Sequence, residues 1–123
     1  AYLSAGSVET VRERTAALLW SPEPPTAIVA WNDGVASEVV AAADAAGVAV
    51  PDRLSVVGFD DDPRALACRP ALTTLRHPVR EICRVGTHLL ADRVEERPVS
   101  QPRRWTPELV VRDSTSRADA GGK

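Results

Sequence analysis

Three consecutive carboxylates, Asp60, Asp61 and Asp62, stand directly after the run Leu-Ser-Val-Val-Gly-Phe at 54–59. A second polar pair, Asn32-Asp33, follows Thr-Ala-Ile-Val-Ala-Trp at 26–31. A carboxylate only accepts hydrogen bonds and can take two hydroxyl donors at once, while an amide offers both donor and acceptor. Asp60 and Asn32 together match a polyhydroxy ligand such as a sugar or nucleoside, each charge-assisted hydrogen bond contributing roughly 1.5–3 kcal/mol. A carboxylate cluster can also hold Mg²⁺ in a phosphoacceptor or phosphatase site, which needs a cation for the phosphoryl oxygens. Of the 15 basic residues, however, 14 are Arg and the single Lys is the terminal Lys123. That scarcity also removes a phosphate-loop NTPase and a Schiff-base lysine.

Local structure offers competing explanations. Asp61 or Asp62 can cap a helix that Pro63 opens. Asn32 can be a turn or cap residue, and Asp33 reads best as a cap for the helix after it. Asp60 is not explained this way, because it still belongs to a strand tip. Trp31 can stack on a ring-shaped ligand, although a Trp beside a strand end is more often a packing residue. His77 and His88 have no Ser or Cys nucleophile at a recognisable elbow. No enzyme, cofactor or metal site is expected.

The elements that must position these groups alternate regularly. Ser7 can cap a helix carrying Val8, Val11, Thr15, Leu18 and Leu19 on one face. The proline cluster at 22–25 ends it, and a strand is expected over 26–31. Asn32-Asp33-Gly34 turns into a helix with Val35, Ala36, Val39, Val40, Ala43 and Ala46 inward, closed by Gly47 with a positive φ. The run at 53–59 reads as a strand buried on both faces. A short helix is expected over 63–67, a strand over 70–75, a long helix over 78–96 and an extended segment over 105–112, interrupted by Pro107. The order α-β-α-β-α-β-α-β implies an α/β fold with a parallel sheet and right-handed crossovers. Ligands in such sheets bind beyond the carboxyl ends of the strands, where Asn32 and Asp60 stand.

At 123 residues the chain can hold one domain with a real core. A net charge of −2 argues against a dedicated nucleic-acid surface in this segment. Cys68 and Cys83 fall in helical segments and suit small buried or half-buried residues of a reducing compartment. No run approaches a membrane span and no secretory signal is visible. The sequence has no Met and its first helix follows no strand, so it is expected to be a piece of a longer protein. Residues 113–123, rich in Ser, Asp, Ala and Gly, are expected to form a disordered tail.

Four stretches resemble the effector-binding domain of LacI/GalR-type transcription regulators. They are Pro25-Thr-Ala-Ile-Val-Ala-Trp-Asn-Asp33, Val50-Pro-Asp-Arg-Leu-Ser-Val-Val-Gly-Phe-Asp-Asp61, Pro70-Ala-Leu-Thr-Thr-Leu-Arg-His-Pro78 and Glu108-Leu-Val-Val-Arg-Asp-Ser-Thr115. They occur in family order over residues 7–115. The resemblance implies a three-layer α-β-α parallel sheet, the C-terminal lobe of a periplasmic-binding-protein-like type I fold. It implies a partial sensor domain over 1–113, with 1–75 and 106–113 in the C-terminal lobe, 76–105 in the N-terminal lobe, and a tail over 114–123. It carries effector binding to Asp60 and Asn32, an apolar wall to Val29 and Trp31, and the contacts of a homodimer to Ser37, Val40, Arg64 and Cys68. The implied protein is cytoplasmic, senses a sugar-like effector, and reaches operator DNA only through an N-terminal helix-turn-helix not in this chain. A periplasmic-type sugar receptor is the alternative. The sequence departs from the family at Glu38 and Trp31, where small residues are usual, and at His77, where Gln is common.

Overall fold

A computed structural model describes residues 8–99, 101 and 104–117 of the chain. The elements follow the expected order: α1 (Val8–Leu19), β1 (Ala27–Val29), α2 (Asp33–Ala45), β2 (Ser55–Val57), α3 (Pro63–Ala67), β3 (Thr74–Arg76), α4 (Val79–Val94) and β4 (Glu108–Val110). They divide into a larger compact unit, running to Arg76 and resuming at Leu109, and a smaller one, His77–Glu108.

The larger unit is built around β2. Its neighbour β1 lies parallel, with Ala27, Ile28 and Val29 opposite Ser55, Val56 and Val57. On its other edge, successive alternate N–H groups reach different partners. Val56 donates to Ser114 O at 2.8 Å, Gly58 to Thr73 O at 2.9 Å and Asp60 to Leu75 O at 2.9 Å. A parallel bridge joins Val57 to Thr73, and β3 pairs with β4.

The 3.6-residue spacing on α2 puts Ala36, Val39, Val40 and Ala43 inward, against Ile28, Leu54, Val56, Ala65 and Leu72. Full burial of each large side chain contributes about 1.5–3 kcal/mol. α1 adds Val11 and Leu19, and its buried Thr15 is satisfied by donating to Val11 O at 2.8 Å. Gly47 closes α2 at φ 69°, as the sequence predicts.

Several expectations are corrected. The run at 53–59 is not buried on both faces among the described residues: Val56 is fully buried, while Ser55 and Val57 on either side of it are only half-covered. α2 packs against the side that carries Ile28 and Val56. The third strand starts later than 70, because Leu72 N–H is drawn to Ala65 O at 2.9 Å and Ala71 O accepts from Asp113 and Ser114. α4 carries its apolar stripe but has no buried residue, with Ile82, Val85 and Leu89 only half-covered. Cys68 is half-buried and Cys83 exposed, both as free thiols. The proposed Ser7 cap and residues 118–123 lie outside the described residues.

The start of the expected tail is also ordered. Ser114 is fully buried. Its hydroxyl donates to Val56 O at 2.5 Å and accepts from Thr73 N at 2.8 Å. Ser114 thus supplies the rungs that β2 and β3 lack where they splay, and Ser116 extends the contact to Ser55 Oγ and Pro51 O. Small polar residues order here through hydrogen bonds rather than apolar burial.

Ser114→Ala leaves a buried donor and a buried acceptor without their partner and is expected to cost about 1–3 kcal/mol in urea unfolding. Gly58→Ala is expected to cost a similar amount, roughly 1–3 kcal/mol, by overpacking, since an added Cβ would lie 2.0 Å from Asp33 Oδ1 and 3.3 Å from its Cα.

Candidate functional site

Asp33 ties the carboxyl ends of β1 and β2 to the start of β3. Its backbone N–H donates to Phe59 O at 2.9 Å. Oδ1 accepts from the Thr74 hydroxyl at 2.6 Å, and Oδ2 from Asp62 N–H at 2.8 Å. The side chain is fully buried at the start of α2, where the helix dipole favours an anion. The helix cap itself is Asn32, whose Oδ1 accepts from Val35 N–H at 2.9 Å. The capping role expected of Asp33 therefore belongs to its neighbour, and Asp33 instead joins the ends of β1 and β2 to the start of β3. Gly58 is required beside it, since no side chain fits against its carboxylate.

The three consecutive carboxylates divide their roles. Asp62 caps α3, accepting from Arg64 N–H at 2.6 Å ahead of Pro63. Asp61 is gripped by two guanidinium groups, Arg76 Nε at 2.6 Å on Oδ2 and Arg112 Nη2 at 2.5 Å on Oδ1. The Arg112 hydrogen bond is the largest influence holding the Asp61 carboxyl below its ordinary value; burial opposes it and Arg76 reinforces it. Asp60 is exposed. Its backbone and that of Asp61 are both left-handed, with φ 99° and 55°. For a residue with a side chain, such a conformation costs of the order of 1–3 kcal/mol and persists only where its surroundings impose it.

The other expected ligand groups are distributed as follows. Val29, the last residue of β1, and Trp31, two residues beyond it, are 63% and 62% exposed. Asn32 borders a hollow of about 240 Å³ with Val8, Val11, Val35, Ser37 and Arg64; Asp60 is not part of its lining. A wider hollow of about 430 Å³, beside Ala16, Trp20, Ala41 and Ala45, contains none of the strand-tip groups. Adjacent strands bring the tips of Asn32 and Asp60 side by side, but the Asn32 carbonyl oxygen is already engaged by its helix.

Of the expected dimer residues, Arg64 is exposed, and Ser37 and Cys68 are half-buried. Val40 is corrected to a core residue at 5% exposure, since the inward periodicity of α2 leaves it little surface for a partner. Leu66, between Arg64 and Cys68, is 61% exposed on α3. Also missed were Arg76 and Arg112, whose pairing with Asp61 spans 15 and 51 positions and leaves no local pattern. Among the described residues no cluster of His, Cys, Asp and Glu could hold a metal ion, and no helix is long and apolar enough to cross a membrane.

A family model described as a periplasmic binding protein-like domain matches residues 1–115. The chain is 40% identical over 95 residues to the arabinose metabolism transcriptional repressor of Geobacillus stearothermophilus, covering 76% of this chain and 26% of that protein. It is 38% identical over 99 residues to the HTH-type transcriptional repressor CytR of Escherichia coli (strain K12), covering 80% and 29%. Among solved structures, a LacI family transcriptional regulator from Bifidobacterium animalis subsp. lactis DSM 10140 superimposes with a TM-score of 0.87 at 29% identity, over 94% of this chain and 43% of that one. A LacI family regulator from Arthrobacter sp. FB24, in complex with lactose, does so with a TM-score of 0.78 at 31% identity, over 94% and 45%. The chain belongs to the periplasmic binding protein-like family, as a sensor domain of the LacI type. It spans about a quarter to a third of the length of these curated relatives.

Because the folded Asp61 carboxyl is held below its ordinary value of 3.8, its stabilising contribution is complete above that value and is lost as the pH falls through the lower, folded one. Urea midpoints measured from pH 5 down to pH 2.5 are expected to fall less steeply in Asp61→Asn than in wild type.

Proposed function

We propose that this chain is the effector-sensing part of a LacI-type DNA-binding transcriptional regulator, and that Asp60 is its principal ligand for a sugar or related polyhydroxy molecule. The observation that carries the proposal is the division of labour in the Asp60-Asp61-Asp62 turn. Asp61 is neutralised by Arg76 and Arg112, and Asp62 is occupied by its helix and by Arg64 Nε at 3.1 Å. Asp60 makes no side-chain hydrogen bond or ion pair among the described residues and is held exposed at a strand tip. A carboxylate so placed suits neutral hydroxyl donors rather than a phosphate or another anion. Trp31, exposed at the neighbouring tip, supplies a flat apolar face to a sugar ring, and Val29 extends it. Asn32 contributes its amide N–H₂, its oxygen being used in the cap.

In this reading the unit His77–Glu108 accounts for residues 76–105 as part of a second lobe. Effector binding closes the lobes, and closure alters how a helix-turn-helix elsewhere in the full-length homodimer holds operator DNA. Coupling of about 1–3 kcal/mol would change operator affinity roughly 5- to 150-fold. The protein acts in the cytoplasm as a binding module, not as an enzyme. The relatives being transcriptional repressors favours this over a transport receptor.

In the full-length protein, Asp60→Asn is expected to weaken effector binding about 10- to 100-fold, through loss of a charge-assisted bond worth roughly 1.5–3 kcal/mol. Calorimetric titration with the effector measures it. Unchanged affinity would remove Asp60 from the site.

A further inference from the structure

Asp61 stands beside the candidate effector ligand, yet both its oxygens are committed to distant parts of the chain. Arg76 is the last residue of the larger unit before the chain leaves it, and Arg112 comes three residues after the chain returns at Leu109. Arg112 is fixed in turn to the strand beside it. Its Nη1 donates to Leu72 O at 2.8 Å and its backbone N–H to Thr73 Oγ1 at 3.0 Å. The side chains of Asp61 and Arg112 are 10% and 13% exposed, so the pair is shielded from solvent, unlike the surface ion pairs of α4. Asp60 N–H is held to Leu75 O at 2.9 Å, one residue before Arg76. The left-handed turn that presents Asp60 is therefore anchored to the outgoing strand at two successive residues and to the returning strand at a third point.

From this geometry we infer that Asp61 is a latch that couples the effector ligand Asp60 to both chain crossings between the two units. This rests on the sensor reading given above. Movement of Asp60 towards a ligand rotates a turn whose left-handed φ values leave little slack, and Asp61 transmits that rotation to Arg76 and Arg112 together. Asp61 touches no effector: it is a positioning residue. It sets how much of the binding energy reaches the crossings, rather than how tightly effector is held. An isolated pair on one crossing would bias one strand alone, whereas a carboxylate with one oxygen on each ties them to a common motion.

The test uses the full-length protein as wild type, Asp61→Asn, Arg112→Gln and Asp60→Asn. Asn tolerates the left-handed conformation at position 61, so Asp61→Asn removes the charge with little change in backbone preference. Lactose and glucose are titrated by tryptophan fluorescence, and the sugar-driven change in affinity for DNA from the protein's own promoter is measured in parallel. Asp61→Asn and Arg112→Gln are expected to bind sugar within about 3-fold of wild type while losing most of the change in DNA affinity. Asp60→Asn is expected to lose sugar binding itself. A wild-type DNA response in Asp61→Asn, or a loss of sugar affinity as large as that of Asp60→Asn, overturns the latch. Hydrogen exchange of the sugar-free protein separates this from the sensor reading. The amides of Asp60 and Arg112 are expected to exchange at least 10-fold faster in Asp61→Asn. Unchanged exchange overturns the latch whatever the sugars do. Faster exchange in a protein whose wild type responds to neither sugar supports the anchoring of the turn by Asp61 that the latch requires and counts against lactose and glucose as its effectors.

Discussion

A carboxylate without solvent contact, that of Asp33, accepts one hydrogen bond from the Thr74 hydroxyl and one from the Asp62 backbone. Burying a charge is costly unless it is hydrogen-bonded, so these donors are conditions of folding rather than ornaments on it. Both come from outside α2, one from β3 and one from the turn after β2. With Asp33 N–H on Phe59 O, the single residue fixes the ends of β1 and β2 against the start of β3. Gly58 follows as a steric consequence, since the carboxylate occupies the space a side chain would need. The candidate site is a product of that arrangement: Asp60 lies where it does because residues on either side of it are fixed.

The turn at 60–62 shows how one residue type takes three roles through its surroundings. A left-handed backbone at two consecutive aspartates is costly, and the offsetting contacts are visible: the Leu75 carbonyl, two guanidinium groups and the α3 cap. Every stabilising contact goes to Asp61, Asp62 or a backbone group. The Asp60 side chain receives none among the described residues, which is the state expected of a group kept for a ligand. Strain stored where the surroundings over-determine it is common at binding sites, and here the determinants can be named.

Much of the scaffold was legible because its causes are local. α2 could be read from inward spacing, a polar start and Gly47, and α3 from Asp62-Pro63. The strand-tip location of Asp60 was legible for the same reason. What sequence could not supply were pairings between remote positions. Asn32 and Asp33 are equally good caps in isolation; Thr74, 41 residues away, decides between them. Ser114 looked like tail composition, yet it satisfies Val56 O across 58 residues. In the sequence Val40 fits both an inward-facing position and a partner contact, and in the structure it is buried in the core. The sensor family was visible from four short motifs, and the match over residues 1–115 bears it out.

With the neighbouring groups fixed, Asp60 is the carboxylate proposed to meet ligand. A crystal structure of the full-length protein soaked with its sugar effector tests this most directly. Asp60 oxygens are expected at about 2.5–3.0 Å from ligand hydroxyls, with Asp61 still on Arg76 and Arg112 and Asp33 still on Thr74. A sugar bound with Asp60 turned away from it, and Asp61 or Asp62 released to make the contact instead, would contradict it.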